Sequence, residues 1–286
     1  MEAAGPPPDA SGPPGPGTCT VHLADARAMG AVADGSVALV VTSPPYPHVA
    51  MWDGAFRALG ATDWQGQHAV LDAVWAEVAR ALMPGGIACV VVGDALRKVE
   101  GSFQLFPNHA RVMDALARLG LMALPYILWK KPTNRPNAFL GSGFLPPNAY
   151  VTLDCEFILV FRKGPLRAFP PHDGRRAASR YTKAERDRWF SQVWELPGAR
   201  QRQAGVGRRT AAFPPEVPAR LVRMFSVEGD LVLDPFAGTG TALAEAVRAG
   251  RDAVGYEVDP ALRGAIEAAV ARAGAHCRFS GPEPNG

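Results

Sequence analysis

The fold of this chain is decided by the stretch LVLDPFAGTGT, residues 231–241, which runs into a helical segment, Ala242 to Ala249. The stretch has the order of a short apolar strand, a glycine loop and a helix. Gly238 and Gly240 let the backbone approach a ligand closely and present N–H groups at the helix start. Asp234 adds a charged acceptor at the strand tip. The pattern predicts an open α/β sheet that binds a ligand at the carboxyl ends of its strands.

A second apolar strand follows this loop and supports the same prediction. It begins at Ala253 and ends in acids at Glu257 and Asp259, about 20 residues after the glycines, where a carboxylate typically binds ribose hydroxyls. A dinucleotide-binding loop would carry a third small residue where this chain has Leu243. The pattern therefore favours a ligand with a ribose, and it shows no cradle for a pyrophosphate.

A different kind of turn ends the apolar run at residues 37–41, and its sequence is Thr42-Ser43-Pro44-Pro45-Tyr46. Proline lacks an N–H and has a fixed φ, so the turn is rigid and its carbonyls are free to accept hydrogen bonds. The Ser43 hydroxyl, the Pro44 carbonyl and the Tyr46 ring are suited to hold a flat ring that carries an exocyclic amine. The alternative is an ordinary proline turn after a strand.

Both stretches resemble motifs of one enzyme family, the DNA amino-methyltransferases. Residues 234–241 are similar to the S-adenosylmethionine loop of that family, and residues 42–46 resemble its catalytic motif. The order, with the catalytic motif first, resembles the beta group, and the resemblance extends from Thr18 to Arg278. It implies an α/β fold, namely a circularly permuted, Rossmann-like class I methyltransferase sheet with a small basic insertion.

The implied activity is site-specific transfer of the methyl group of S-adenosyl-L-methionine to the exocyclic N4 amine of a flipped cytosine in double-stranded DNA. The family form with serine before the two prolines is associated with cytosine N4, and the form with aspartate is associated with adenine N6; this chain has Ser43. An adenine N6 enzyme, an RNA amino-methyltransferase and a non-catalytic module that binds cofactor and DNA remain alternatives.

The resemblance also assigns roles to individual residues. The catalytic set is Ser43, Pro44, Pro45 and Tyr46. Asp25 is expected at the tip of the strand beside the catalytic strand, bonded to the adenine amine, and Glu257 is expected on the ribose. In the alternative interpretation Asp25 caps a helix, Phe236 is core and Phe213 is a hydrophobic staple. The implied cofactor-binding set is Asp25, Thr42, Phe213, Asp234, Pro235, Phe236, Ala237, Gly238, Thr239, Gly240, Thr241 and Glu257.

Charge is concentrated in residues 164–210, which hold eleven arginines and lysines against four acidic residues, although the whole chain carries only +3. A basic insertion suits contacts with DNA phosphates and with base edges. It coincides with the interval where beta-group enzymes carry their target-recognition region. The alternative is a solvated, charge-rich insertion. The expected DNA-binding residues are Arg135, Arg175, Arg176, Arg180 and Lys183.

Composition bounds the remaining possibilities. A chain of 286 residues with 48% hydrophobic content can bury one α/β core with an appendage. We expect a cytoplasmic protein of the bacterial cytosol or nucleoid, without a membrane segment, metal site or disulfide. A separately encoded restriction endonuclease and a homodimer are the further partners considered. The predicted divisions are a disordered tail (1–17), a catalytic half (18–163), the basic insertion (164–210), a cofactor-binding half (211–278) and a second disordered tail (279–286).

Overall fold

The computed structural model of the chain describes residues 15, 17–131, 146–147, 150–199 and 213–281. The helices in chain order are α1 (Asp53–Ala58), α2 (Trp64–Ala81), α3 (Asn108–Arg118), α4 (Gly174–Ala178), α5 (Lys183–Trp189), α6 (Glu216–Phe225), α7 (Thr241–Arg248) and α8 (Arg263–Ala271). The strands are β1 (Cys19–His22), β2 (Val37–Thr42), β3 (Leu82–Val92), β4 (Ala95–Val99), β5 (Ser102–Phe106), β6 (Leu121–Lys130), β7 (Cys155–Lys163), β8 (Val193–Glu195), β9 (Leu231–Asp234), β10 (Asp252–Tyr256) and β11 (Cys277–Ser280).

Within these residues, nine strands form one sheet in the order β11-β1-β10-β9-β2-β3-β7-β6-β8. The six strands from β11 to β3 are parallel, whereas β7 runs antiparallel to β3 and β6. We call the side where the parallel strands end the carboxyl edge and the opposite side the amino edge. The predicted α/β sheet is confirmed, and the late strands β9 and β10 are inserted between the early strands β1 and β2.

The centre of the sheet is apolar on both faces because helices cover both sides, as expected for parallel strands. All six residues of β2 are buried. Its alternate side chains enter two layers: Leu39 and Val41 pack in the core that contains α6, α7 and α8, whereas Val40 packs in the core that contains α2 and α3. This double coverage fixes β2 and β9 rigidly and so fixes the loops that follow them.

Three predictions about the edges of the fold are wrong. Asp25 does not follow a strand beside the catalytic strand, because β10 and β9 lie between β1 and β2. The second tail does not begin at residue 279, since Phe279 and Ser280 belong to β11 and the Ser280 carbonyl accepts from Leu23 N at 2.8 Å. Gly17 is not part of a loose tail, because its N–H donates to Val247 O at 3.3 Å.

The described part of the basic insertion runs from the amino edge to the carboxyl edge. Near its start, Arg167 forms a two-bond ion pair with Asp230, the residue before β9, at 2.6 and 2.8 Å. Helix α5 then packs along α6, where Arg223 donates to Glu185 at 2.6 Å. Strand β8 pairs with the end of β6 at the carboxyl edge. None of the helices in the described residues has the length and hydropathy needed to span a membrane.

Candidate active site

The two sequence motifs meet at the carboxyl edge through one hydrogen bond. Strands β2 and β9 are parallel neighbours, with Val40 opposite Leu233. At their ends, the Thr42 hydroxyl donates to Asp234 Oδ1 at 2.6 Å, although the two residues are 192 positions apart in the chain. Both side chains are buried. Thr42, predicted to bind cofactor, thus holds Asp234 in place. It joins the turn of residues 42–46, called the catalytic turn below, to the glycine loop.

Asp234 is a buried carboxyl group with few compensating contacts. The Phe236 N–H also donates to Oδ1, at 3.0 Å. Burial raises the pKa of Asp234 to about 7, because the hydrogen bonds from Thr42 and Phe236 offset only part of the lost hydration and the Glu257 carboxyl raises it further. This carboxyl therefore changes charge near neutral pH.

The glycine loop has the backbone shape that its sequence predicts. Gly238 and Gly240 have φ of +54° and +77°, in the left-handed region that favours glycine, and Gly240 is the cap of α7. The Gly240 N–H donates to Ala237 O at 2.7 Å. A Cβ atom at Gly238 would come near only Phe236 O, at 3.7 Å, so the backbone there is open to a ligand. Of the other predicted loop residues, Pro235 is buried, and the Thr239 and Thr241 hydroxyls lie 3.4 Å apart.

Glu257 lies directly behind this loop, at the end of β10. Its carboxylate accepts from Gly238 N and Asp259 N, each at 2.8 Å. Burial raises its pKa, and the N–H donors act in the opposite direction. Each carboxylate oxygen has a second lone pair, so both remain able to accept ribose hydroxyls. An open glycine backbone between the buried Asp234 carboxyl and the half-buried Glu257 carboxyl fits S-adenosyl-L-methionine, which combines a ribose with positive charge.

Three further residues that were predicted to bind the cofactor lie in different surroundings. Phe236 is half-buried, with its ring centroid 6.2 Å from that of Trp75. Phe213 is buried in the apolar core rather than at the open face of the loop. Asp25 follows β1, next to the end of β10, and its carboxylate forms an ion pair with Arg27 at 2.6 Å.

The catalytic turn connects to a charged pair, Glu156 in β7 and Lys131 directly after β6. Ser43 Oγ lies 3.0 Å from Tyr46 Oη, and Tyr46 Oη donates to Glu156 Oε2 at 3.1 Å. Glu156 is also ion-paired with Lys131. Burial raises the pKa of Tyr46 well above its usual value, and the Glu156 carboxylate raises it further. Pro44 is buried and Pro45 is half-buried, so the turn is packed against the body of the protein.

Two further residues that the sequence did not indicate hold the segment after the turn. Asn108 Nδ2 donates to Pro47 O and Gly93 O, each at 3.0 Å, and so ties the turn to the end of β3. Arg97 Nε donates to His48 O at 2.6 Å, and its guanidinium is paired with Asp53. Their partners are 15 to 61 positions away in the chain, so no local pattern marks them. Glu156 is weakly marked in the sequence as a site residue, because it is an acid just inside an apolar strand.

The structure does not bring the predicted DNA-binding arginines together with the catalytic turn. Arg175, Arg176 and Arg180 lie in and just after α4 at the amino edge, where Ser179 Oγ accepts from Glu228 N at 2.9 Å. Arg176 stacks on Phe169, with 5.2 Å to the ring centroid. Their position does not support contact with a duplex that enters at the carboxyl edge. Lys183 is exposed and paired with Asp187, and Arg135 lies outside the described residues.

Comparison with known proteins agrees with this geometry. The family model described as DNA methylase, N6_N4_Mtase, matches residues 37–267. The type II methyltransferase M.MjaI of Methanocaldococcus jannaschii is 52% identical over 270 residues, covering 86% of this chain and 89% of that protein. M.MthZI of Methanothermobacter thermautotrophicus is 42% identical over 271 residues, covering 88% and 76%.

Solved structures show the same fold. TTHA0409 of Thermus thermophilus, crystallised with S-adenosyl-L-methionine, superposes with a TM-score of 0.75 at 35% identity, covering 92% of this chain and all of that chain. The cytosine-N4-specific PvuII DNA methyltransferase superposes with a TM-score of 0.63 at 16% identity, covering 93% and 98%, and supports the fold alone. The predicted fold and cofactor are confirmed: this chain belongs to the DNA methylases of the N6 and N4 family, site-specific enzymes that methylate exocyclic amines of DNA with S-adenosyl-L-methionine.

Proposed function

We propose that this protein methylates the exocyclic N4 amine of a cytosine that is flipped out of duplex DNA. The observation that carries the proposal is the Thr42–Asp234 hydrogen bond, which holds the Ser43 turn beside the glycine loop. The preference for cytosine over adenine rests on serine at position 43, the form that resembles the cytosine N4 enzymes. Adenine N6 is the second candidate because the matched family includes both kinds of enzyme.

The cofactor is held by the residues that surround the loop. Glu257 accepts the ribose hydroxyls, Asp234 faces the positively charged end, and Asp25 bonds the adenine after release from Arg27. The open backbone at Gly238 allows close approach. When bound, S-adenosyl-L-methionine supplies an electrophilic methyl group on a sulfonium.

Ser43 and Pro44 prepare the base to react. The amine of cytosine is a weak nucleophile because its lone pair is delocalised into the ring. Ser43 Oγ and the Pro44 carbonyl accept the two N–H groups and favour a tetrahedral nitrogen, which localises that lone pair. Alignment of this kind accounts for most of the expected acceleration. The proton leaves after methyl transfer, when the nitrogen is cationic, because a serine hydroxyl is too weak a base to remove it earlier.

Tyr46 and its neighbours form the wall of the base site. A base inside a duplex cannot reach the turn, so the target nucleotide is extruded from the stack. The half-buried Tyr46 ring packs against the flipped base, and its hydroxyl is anchored by Glu156. Because Pro44 and the end of β3 are buried, they exclude water from one side of the reacting amine.

Nucleoside analysis tests the proposal directly. The purified protein is incubated with genomic DNA and isotopically labelled S-adenosyl-L-methionine, and the digested DNA is analysed by mass spectrometry. We expect label in N4-methylcytosine and a loss of at least about 100-fold in the Ser43→Ala variant, because a positioned acceptor is removed. Label found only in N6-methyladenine would reject the cytosine assignment. Equal incorporation by the variant would reject the role of Ser43.

A further inference from the structure

A chain of four polar side chains leads from the surface of the site to the catalytic serine. It runs from Lys131 to Glu156, from Glu156 to Tyr46 Oη at 3.1 Å, and from Tyr46 Oη to Ser43 Oγ at 3.0 Å. Glu156 and Lys131 lie at the carboxyl edge, beside the β7–β6 pair, in which Trp129 is opposite Glu156. This series of four side chains thus approaches the turn from the antiparallel part of the sheet, away from the cofactor loop.

The glycine at the end of β3 makes room for this chain. A Cβ atom at Gly93 would lie 3.0 Å from the Tyr46 ring and 3.2 Å from Glu156 Cγ. Contacts this short are tighter than ordinary van der Waals packing, so a larger residue would displace one of the two side chains. The close fit indicates that Tyr46 and Glu156 hold defined positions.

Counting protons along the chain fixes the direction of every hydrogen bond. A carboxylate can only accept, and Glu156 is ion-paired with Lys131. The single phenolic hydrogen of Tyr46 is therefore donated to Glu156, and Tyr46 retains it because burial raises its pKa well above the usual value. In the hydrogen bond between Ser43 and Tyr46, Ser43 must then be the donor. Its only hydroxyl hydrogen is committed to that bond.

Ser43 Oγ consequently presents only lone pairs to whatever occupies the base site. An exocyclic amine offers it an N–H, whereas a carbonyl oxygen at the same place would set lone pair against lone pair. Sites built to bond an N–H reject the analogue that lacks it, because a buried polar group is left unpaired. We propose that Glu156, held by Lys131, is a positioning residue that acts through Tyr46 to make Ser43 an obligate acceptor, and that this selects amino-bearing bases over carbonyl-bearing ones. The inference rests on the proposed function and names the residues that give the site its selectivity.

Two substitutions remove the constraint on the direction of these hydrogen bonds while keeping side chains of similar shape. In Glu156→Gln, the amide can donate to Tyr46, so Tyr46 can donate to Ser43 and free the serine hydrogen. In Tyr46→Phe, the ring stays and the Ser43 hydroxyl loses its acceptor. Glu195→Gln is the matched control, since Glu195 is an exposed carboxylate on the nearby β8 and, within the described part of the chain, its ion-pair contact is the 3.9 Å one to Lys130.

The experiment compares full-length variants on synthetic duplexes that carry the methylated site mapped for the wild type. The target position holds either the amino base or its carbonyl counterpart, uracil for cytosine or hypoxanthine for adenine. We expect the ratio of the two dissociation constants to fall at least about 10-fold in Glu156→Gln and Tyr46→Phe. We also expect kcat to fall more than KM rises, with unchanged affinity for S-adenosyl-L-methionine, and we expect Glu195→Gln to behave as wild type.

Each outcome has a defined meaning. A ratio of dissociation constants equal to that of the wild type in both variants would overturn the inference. A loss of cofactor affinity that parallels the loss of selectivity would also overturn it, because the residues would then be structural. Absence of N4-methylcytosine from wild-type reactions contradicts the cytosine assignment instead. The hypoxanthine comparison still tests the inference in that event, since it uses the same donor and acceptor chemistry on adenine.

Discussion

At the scale of single residues, the site depends on polar groups buried next to each other. Thr42 and Asp234 share a hydrogen bond of 2.6 Å in the core, where the carboxyl is deprived of water. Burying a charge that is not ion-paired destabilises a fold, so the protein carries a cost at the place where its two motifs meet.

The pH dependence of folding should report this cost. The pKa of Asp234 is about 7 in the folded protein against 3.8 for a free side chain, so the folded state binds the extra proton between these values. Stability from this group is complete below pH 3.8 and is lost as the pH rises through 7. We expect the stability advantage of Asp234→Asn over the wild type to grow by about 2–3 kcal/mol from pH 5 to pH 8, measured by urea unfolding without cofactor.

A second variant checks the assignment to Asp234. Thr42→Val removes a hydrogen bond that favours the charged carboxylate, so it should move the midpoint of the pH-dependent loss above 7. Since the histidines are the same in all three proteins, their contribution to the pH dependence cancels in the comparison. A difference between wild type and Asp234→Asn that does not change from pH 5 to 8 would contradict the assignment.

At the scale of elements, the cofactor loop is held by the close packing of β10 against α7. Gly255 lies in β10 beneath the loop. A Cβ atom there would meet Leu243 Cδ1 at 2.7 Å and Ala237 Cβ at 3.1 Å. Leu243 is fully buried and Ala237 is part of the loop, so neither can move without disturbing the cofactor-binding backbone.

Adding one methyl group at this position should therefore affect both stability and binding. We expect Gly255→Ala to lower the free energy of unfolding by about 1–3 kcal/mol, as overpacked cores do, and to weaken cofactor binding because the loop is displaced. Urea unfolding and calorimetric titration of S-adenosyl-L-methionine measure the two effects. Gly264→Ala in α8 is the control, since a Cβ atom there meets nothing within 4 Å. If both variants behave alike, the packing argument is incorrect.

At the scale of the whole molecule, the two edges of the sheet have different roles. The catalytic turn, the glycine loop and the β4–β5 hairpin all follow strands at the carboxyl edge. Arg175, Arg176 and Arg180 are at the amino edge. With the proposed function, a duplex that delivers a base to Ser43 approaches the carboxyl edge, where Lys98 is exposed on the hairpin and Lys130 is half-exposed at the end of β6.

The salt dependence of DNA binding tests which edge of the sheet contacts DNA. We expect the double variant Lys98→Ala, Lys130→Ala to reduce the slope of log K against log salt by about 2, since each phosphate contact contributes about 1. The triple variant Arg175→Ala, Arg176→Ala, Arg180→Ala should leave the slope unchanged. A lower slope for the triple variant alone would support the DNA contacts that the charge of residues 164–210 indicates.

The sequence by itself determined the parts of this protein whose cause is local. A glycine loop after an apolar strand, a proline turn after another and an acid at the end of the next strand identify themselves by backbone chemistry and by spacing of a few residues. These patterns predicted the α/β sheet and a ligand with a ribose, and their resemblance to the amino-methyltransferases implied the cofactor and the catalytic turn. The family and solved relatives confirm the fold and the cofactor.

Only the tertiary structure decided which distant residues share the site. The order of strands in the sheet places Glu156 and Lys131 beside Tyr46, separates β1 from β2 and carries the arginines of α4 to the opposite edge. Strand order results from how all the helices and strands bury their apolar faces together. No short segment encodes that arrangement, because each apolar strand fits several positions equally well until its neighbours are in place.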